Sequence, residues 1–320
     1  MRVLLTGATG FVGRALSQQL ARVGYRVRAA LRRAQELPPG VSEACVVGDF
    51  QGSSDWTEAL REVDMVVHAA ARAHQMGPAG ADPHFYWESN VAATRTLAEA
   101  AVRNGVRRFL YVSSIKVNGE ETTGKPMSAA DPASPQDAYG RSKWLGEEAL
   151  REVTTQGTME PVIIRTPLVY GPGVRANFLR LMRWVDGEWP LPLGAVHNSR
   201  SLISLWNLCD LICVALGHAR SGGHTWMASD GEDLSTPDLI RRLASAMGRR
   251  SRLLPVPLAL LRMMAGAAGR GAELNRLCSS LVVDIASTRA MLEWKPPLTV
   301  DEGLAGTVAW YLREGRVLAS

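Results

Sequence analysis

The sequence predicts an α/β fold, a doubly wound parallel sheet with helices on both faces, followed by a smaller C-terminal part. Three observations predict it. The chain opens with a short apolar run that turns through closely spaced glycines into an amphipathic stretch. Apolar runs of strand length then alternate with segments of helical period as far as about residue 165. After Pro172 this alternation weakens, and proline, glycine and tryptophan become frequent, as in GEWPLPLGAV at 187–196.

In MRVLLTGATGFVGRAL, a strand near 2–6 runs into Gly7, Gly10 and Gly13 and then into a helix near 11–22. Gly7 permits a tight turn, Gly10 lets backbone N–H groups approach a pyrophosphate, and Gly13 lets the helix pack closely on the strand. The positive helix end then faces the phosphates. A glycine triplet placed directly between an N-terminal strand and a helix is a strong dinucleotide signal and points to a Rossmann-type sheet.

The second strand, near 26–31, ends in AALRR. NAD-selective folds of this kind carry an acidic residue there for the ribose hydroxyls, whereas this chain offers Leu31, Arg32 and Arg33. A missing carboxylate beside arginine favours a 2′-phosphate, so the expected cofactor is NADP, with NAD as the alternative and Arg32 as the phosphate contact. Further strands are expected near 44–47, 64–69, 107–112 and 161–165, with helices near 55–61, 86–104 and 137–155. A helix near 204–219 and a short strand near 224–228 return to the main sheet. The expected organisation is a dinucleotide-binding domain over 1–170 with a return segment at about 200–228. A smaller domain is built from 171–199 and 229–320.

The chemistry is legible in DAYGRSKWLGEEAL. Tyr139 and Lys143 are four apart and share a helix face, so the ammonium is expected to lower the phenol pKa from its usual value of about 10. A phenol so tuned exchanges protons near neutral pH. Ser114, in YVSSIKVNGE at the end of an apolar run, supplies a hydroxyl for the same oxygen. The trio implies proton transfer at a sugar or alcohol oxygen.

The glycine spacing of TGATGFVG, joined to Ser114, Tyr139 and Lys143, resembles the extended short-chain dehydrogenase/reductases, the group containing nucleotide-sugar epimerases, dehydratases and ketoreductases. The likeness continues through HAAA at 68–71, SNVAAT at 89–94, YGRSK at 139–143 and IIRTPLVYGPG at 163–173. It is most similar to the branch of UDP-hexose 4-epimerases and UDP-N-acetylquinovosamine 4-ketoreductases. The resemblance implies that the C-terminal part binds a nucleotide sugar. It also implies a cofactor site formed by Gly7, Thr9, Gly10, Phe11, Val12, Gly13, Arg32, Asp49, Phe50, Ala69, Ala70, Ala71, Asn90, Tyr139, Lys143 and Pro167. In that site Asp49 contacts the adenine, Asn90 supports the active-site end and Lys143 also holds the nicotinamide ribose. As caps or turn residues, Asp49 and Asn90 have a purely structural alternative.

For the substrate, the resemblance implies Ser114, Asn177, Phe178, Leu193 of the PLPLG loop, and Arg200, with Arg276 as a second clamp on the diphosphate. Sugar 4,6-dehydratases carry Asp and Glu immediately after the catalytic hydroxyl residue, where this chain has Ile115 and Lys116; 4,6-dehydration is therefore disfavoured. Asn118 replaces a tyrosine that many members carry. The implied activity is hydride transfer at C4 of a UDP-hexose, here a UDP-N-acetyl sugar, with Tyr139 as acid/base. A 4-ketoreductase is favoured over a UDP-glucose or UDP-N-acetylglucosamine 4-epimerase, because an epimerase gains little from a reducing cofactor pool. A non-catalytic, cofactor-binding regulatory protein is the alternative from another class. The family also implies a homodimer formed by the helices near 86–104 and 137–155, with Leu97, Trp144, Leu145 and Leu150 at the contact or facing the sheet.

Composition bounds this reading. The chain has 320 residues, 46% of them hydrophobic, and a net charge of +5. A basic balance suits an anionic substrate, but the arginines occur as scattered doublets (Arg32-Arg33, Arg107-Arg108, Arg241-Arg242), with no continuous stripe for nucleic acid. Four cysteines form no disulfide framework, Cys209 and Cys213 read as core, and no metal site is expected. The N-terminus is a strand instead of a signal peptide, so a cytoplasmic protein is expected. The most apolar later stretch, 253–269, is broken by prolines and Arg262; no membrane insertion is expected, and the stretch reads as a core or subunit-contact helix.

Overall fold

A computed structural model of the chain describes residues 1–72, 83–155, 157–267, 269 and 271–316. The strands are β1 (Arg2–Thr6), β2 (Arg26–Leu31), β3 (Glu43–Val46), β4 (Met65–His68), β5 (Arg108–Ser114), β6 (Glu160–Thr166), β7 (Leu168–Tyr170), β8 (Arg200–Ser204), β9 (Thr225–Met227) and β10 (Asp233–Leu234). Seven of them form one sheet in the order β3-β2-β1-β4-β5-β6-β9, every pair parallel. This is the expected doubly wound α/β fold. The sequence order reverses between β1 and β4, which opens a crevice at the carboxyl ends of the strands. β4 is buried along its whole length and β5 nearly so, as strands covered on both faces must be.

Helix α1 (Phe11–Arg22) follows the first turn, α2 (Thr57–Leu60) is a single turn, and α3 (Pro83–Tyr86) leads through a π turn, Trp87–Ala92, into α4 (Ala93–Arg103). The uniform helix expected at 86–104 is thus widened over its first third. α5 (Ala138–Thr154) begins at Asp137, whose side chain accepts the Gly140 N–H at 2.6 Å. Of the four apolar residues on these helices, Leu97 and Leu150 are core, while Trp144 and Leu145 are half-buried.

Beyond the main sheet lie α6 (Ala176–Asp186), α7 (Leu205–Gly217), α8 (Thr236–Ala246), α9 (Leu258–Ala267), α10 (Gly271–Cys278), α11 (Ala286–Leu292) and α12 (Val300–Trp310). α7 packs on α1 and brings the chain back to β9. Its C-terminal carbonyls, Leu216 O and His218 O, accept hydrogen bonds from Arg108 Nη1 at 2.7 and 2.9 Å, which ties the helix end to the first residue of β5. β10, β8 and β7 make a small second sheet. A second hydrophobic core, including Tyr170, Met182, Leu243 and Leu304, lies under it. Cys209 and Cys213 are buried in the first core. Of the two readings expected for the stretch at 253–269, core or subunit contact, the core one does not hold for α9, where only Leu261 is buried.

Candidate active site

The cofactor end of the site is set by backbone geometry. Gly7 has φ +76°, and a Cβ there would stand 2.7 Å from Ala70 N; a Cβ on Gly13 would stand 2.0 Å from Gly7 O. Only glycine fits either position. α1 starts at Gly10 with no side-chain cap and no acidic residue in its first turn, an arrangement that suits an anion at its first N–H groups. Thr9, Phe11 and Val12 belong to the same turn. The neighbouring loop after β4 holds Ala69, Ala70 and Ala71, and Ala70 N donates to Thr6 Oγ1 at 3.1 Å. Thr6 is bonded in turn to His68 Nδ1 at 2.7 Å, and His68 Nε2 lies 3.1 Å from Thr94 Oγ1. Burial lowers the His68 pKa to about 3, so this buried link is neutral and structural.

Arg32 is exposed just past β2, and Asp49 is exposed beyond β3. Phe50 packs on Trp56 with ring centroids 5.3 Å apart. Asn90 lies in the π turn, 1% exposed; its Oδ1 accepts Arg72 N at 2.8 Å and its Nδ2 donates to Ser142 Oγ at 3.0 Å. It therefore joins the loop after β4 to the helix carrying Tyr139. A residue in a π turn at such a junction is a frequent mark of a functional site.

Ser114 ends β5 and Tyr139 opens α5, and their side chains are hydrogen-bonded. The expected depression of the Tyr139 pKa is absent. It is raised instead, to about 12: loss of hydration is the largest cause, the Asp137 carboxylate adds to it, and the Ser114 hydroxyl works against both. The reason is the position of Lys143. Its Nζ donates to Val112 O at 2.7 Å and stands 3.9 Å from the centroid of the Tyr111 ring. Burial lowers the pKa of Lys143 itself to about 7, with Glu147 working against that.

Glu147 is wholly buried. It receives Arg165 Nη2 at 2.6 Å, Arg165 Nε at 3.0 Å and the Ser113 hydroxyl. Arg165 Nη1 donates to Asn118 Oδ1 at 3.0 Å, and Asn118 Nδ2 donates to Ser128 O. Asn118, in place of the tyrosine, is therefore a buried strut beneath the site and does not line the cavity.

A cavity of about 300 Å³ opens over Ser114 and Tyr139. Ser114, Tyr139, Pro167, Asn177, Phe178, Arg200 and Arg276 line it together, although they come from six different elements and loops. Arg200 is held by Arg276 O at 2.8 Å and Ser279 O at 2.9 Å. Leu193 is placed elsewhere, 5% exposed within the second core. The wall also contains Glu120, Arg180, Trp184 and Leu239, which the sequence reading did not assign to it, and Lys116, which the sequence leaves open as a solvated strand-end residue or a substrate contact. Lys116 Nζ bonds Glu120 Oε1 at 2.8 Å and Asp137 Oδ2 at 2.5 Å. One carboxylate among four cations on the wall suits a multiply charged anion.

A family model described as "NAD dependent epimerase/dehydratase family" matches residues 3–228. The chain belongs to that family. It is an enzyme of the extended short-chain dehydrogenase/reductases. A UDP-glucose 4-epimerase of Vibrio cholerae is 42% identical over 315 residues, 97% of this chain and 95% of its own. An N-acetyl-α-D-glucosaminyl-diphospho-ditrans,octacis-undecaprenol 4-epimerase of Escherichia coli O157:H7 is 28% identical over 264 residues, 81% of this chain and 77% of its own. The structure of MoeE5 with UDP-glucose and NAD matches with a TM-score of 0.79 at 25% identity, covering 98% of this chain and 99% of that one.

Proposed function

We propose that the protein transfers hydride at C4 of a UDP-hexose, a UDP-N-acetyl sugar, with Tyr139 as the acid/base group. The observation that carries this is the shared cavity: the Ser114 hydroxyl and the Tyr139 phenol stand at one end, and Arg200 and Arg276 line the same space. The glycine turn, the uncapped start of α1 and the loop at Ala69 to Ala71 fit a dinucleotide, with Lys143 on its ribose and Asp49 and Phe50 at its adenine end. When bound, its nicotinamide supplies or accepts hydride at carbon. Tyr139 gives the proton to the C4 oxygen in reduction and removes it in oxidation. Ser114 donates to the same oxygen and fixes its direction. Arg200 and Arg276 hold the diphosphate, and Asn177 and Phe178 hold the nucleotide, so that C4 stays against the phenol.

The 4-ketoreductase direction with NADP is favoured by Arg32 and Arg33, both exposed at the end of β2 where a carboxylate would select NAD. The 4-epimerase direction is favoured by the 42% identical relative, a UDP-glucose 4-epimerase. An epimerase regenerates its cofactor within each turnover, and a ketoreductase consumes it. Incubation with UDP-N-acetylglucosamine, its 4-epimer and the 4-keto-6-deoxy derivative separates them. Cofactor oxidation with the keto sugar alone selects the reductase; epimer formed without net cofactor change selects the epimerase. Tighter binding of NAD than NADP would reject the role given to Arg32. The homodimer through α4 and α5, tested by light scattering, and a cytoplasmic location complete this proposal. No helix among the described residues is long and apolar enough to cross a membrane.

A further inference from the structure

Residues 239–272 contain seven arginines and no lysine, aspartate or glutamate. Within this stretch lies α9, with the sequence LALLRMMAGA and Arg262 as its one charge. Leu258, Leu261 and Ala265 recur at helical spacing and turn toward the protein; Leu261 is 6% exposed and the other two are half-buried. The opposite stripe is as apolar and faces water. Leu260 is 42%, Met263 66% and Met264 59% exposed, and Leu254 just before the helix is 48% exposed. Surface helices of globular proteins carry polar residues on the outer face, and a contiguous exposed apolar stripe marks an interaction surface.

We propose that this outer face of α9 docks in the surface of an anionic lipid bilayer. Charge selects the occupant. Arg250 and Arg252 precede the helix and Arg262 lies on it, all exposed. Glu188 pairs with Arg252 at 3.6 Å and accepts from Arg250 N at 2.9 Å, so one carboxylate faces the three arginines, and the helix itself brings none. Apolar residues between basic ones suit the boundary between headgroups and acyl chains, where anionic lipid attracts the arginines. A second copy of the chain suits it less, because a two-fold contact would set the arginines of one copy against those of the other. At ten residues α9 is far too short to span, so it lies in the plane of the surface. The next helix, α10, carries Arg276 and Leu277 of the cavity wall, so docking sets that wall near the lipid.

The test is co-sedimentation of the full chain with phosphatidylcholine vesicles, with and without roughly one-third phosphatidylglycerol. The parent protein is expected to pellet with the anionic vesicles, less so on neutral ones and at high salt. The double variant Met263→Glu, Met264→Glu removes two exposed side chains and no core contact. It is expected to lose at least about tenfold in partition while keeping turnover of a soluble UDP-sugar. No binding of the parent to anionic vesicles, or equal binding by the variant, overturns the proposal. A dimer that the variant dissociates, without vesicle binding, also overturns it and assigns the face to a second copy. None of these outcomes depends on which sugar reaction the site performs.

Discussion

Lys116 Nζ lies 2.5 Å from one oxygen of Asp137, and the other oxygen of Asp137 caps the helix that carries Tyr139. Asp137 raises the Tyr139 pKa, so the lysine offsets the charge that most opposes ionisation of the phenol after burial itself. Lys116→Met is expected to move the ascending limb of kcat/KM for hydroxyl oxidation, which follows ionisation of the phenol, upward by roughly one pH unit. Lys116→Arg should restore it. An unmoved limb in the methionine variant would separate Lys116 from the acid/base group.

Tyr139→Phe removes the proton donor and leaves the ring packing, including the edge contact with Tyr86 at 5.8 Å. Turnover should fall by about 10²–10⁴-fold, the usual contribution of general acid/base catalysis. Cofactor binding, read by fluorescence, should hold, because the glycine turn is untouched.

Glu147→Gln breaks a buried ion pair whose side chains are 0% and 5% exposed, Glu147 and Arg165 respectively. An uncompensated guanidinium then remains under the site, and the expected loss is about 3–5 kcal/mol of stability, measured by denaturant unfolding. Asn118→Ala, which removes one neutral acceptor of Arg165, should cost less.

The pKa of Lys143 is lowered to about 7 in the folded protein from an ordinary value of 10.5. Between these values the unfolded chain binds the additional proton, so this group makes stability rise with pH from about 7 toward 10.5. Its contribution is present at the alkaline end and lost as pH falls through 7. Lys143→Met should therefore flatten the stability profile in that window; parallel profiles for parent and variant would contradict the burial of the ammonium.

Those features of the site that depend on neighbours in sequence were legible there. Gly7 and Gly13 declare a turn and a close helix contact, and Ser114, Tyr139 and Lys143 sit at a strand end and on one helix. What needed the fold was everything set by burial and by distant segments. The pKa of Tyr139 rises because its surroundings are dry and Lys143 faces Val112 O, neither of which spacing reveals. Trp184, Leu239 and Leu277 reach the cavity from three separate helices with no common motif. Leu193 follows the resemblance in sequence, yet its side chain is committed to the second core. The apolar stretch at 253–269 read as core or subunit contact without a choice between them, because composition records what a residue is and not which side of a helix it occupies.

Turnover in D₂O, with the product carbons read by NMR and mass spectrometry, tests the central claim most directly. If hydride passes between cofactor and C4 while Tyr139 handles only the oxygen-bound proton, the product carries no solvent deuterium on any ring carbon, in either direction of reaction. Deuterium at C4, or at C5 or C6 as dehydration would leave it, would contradict the account.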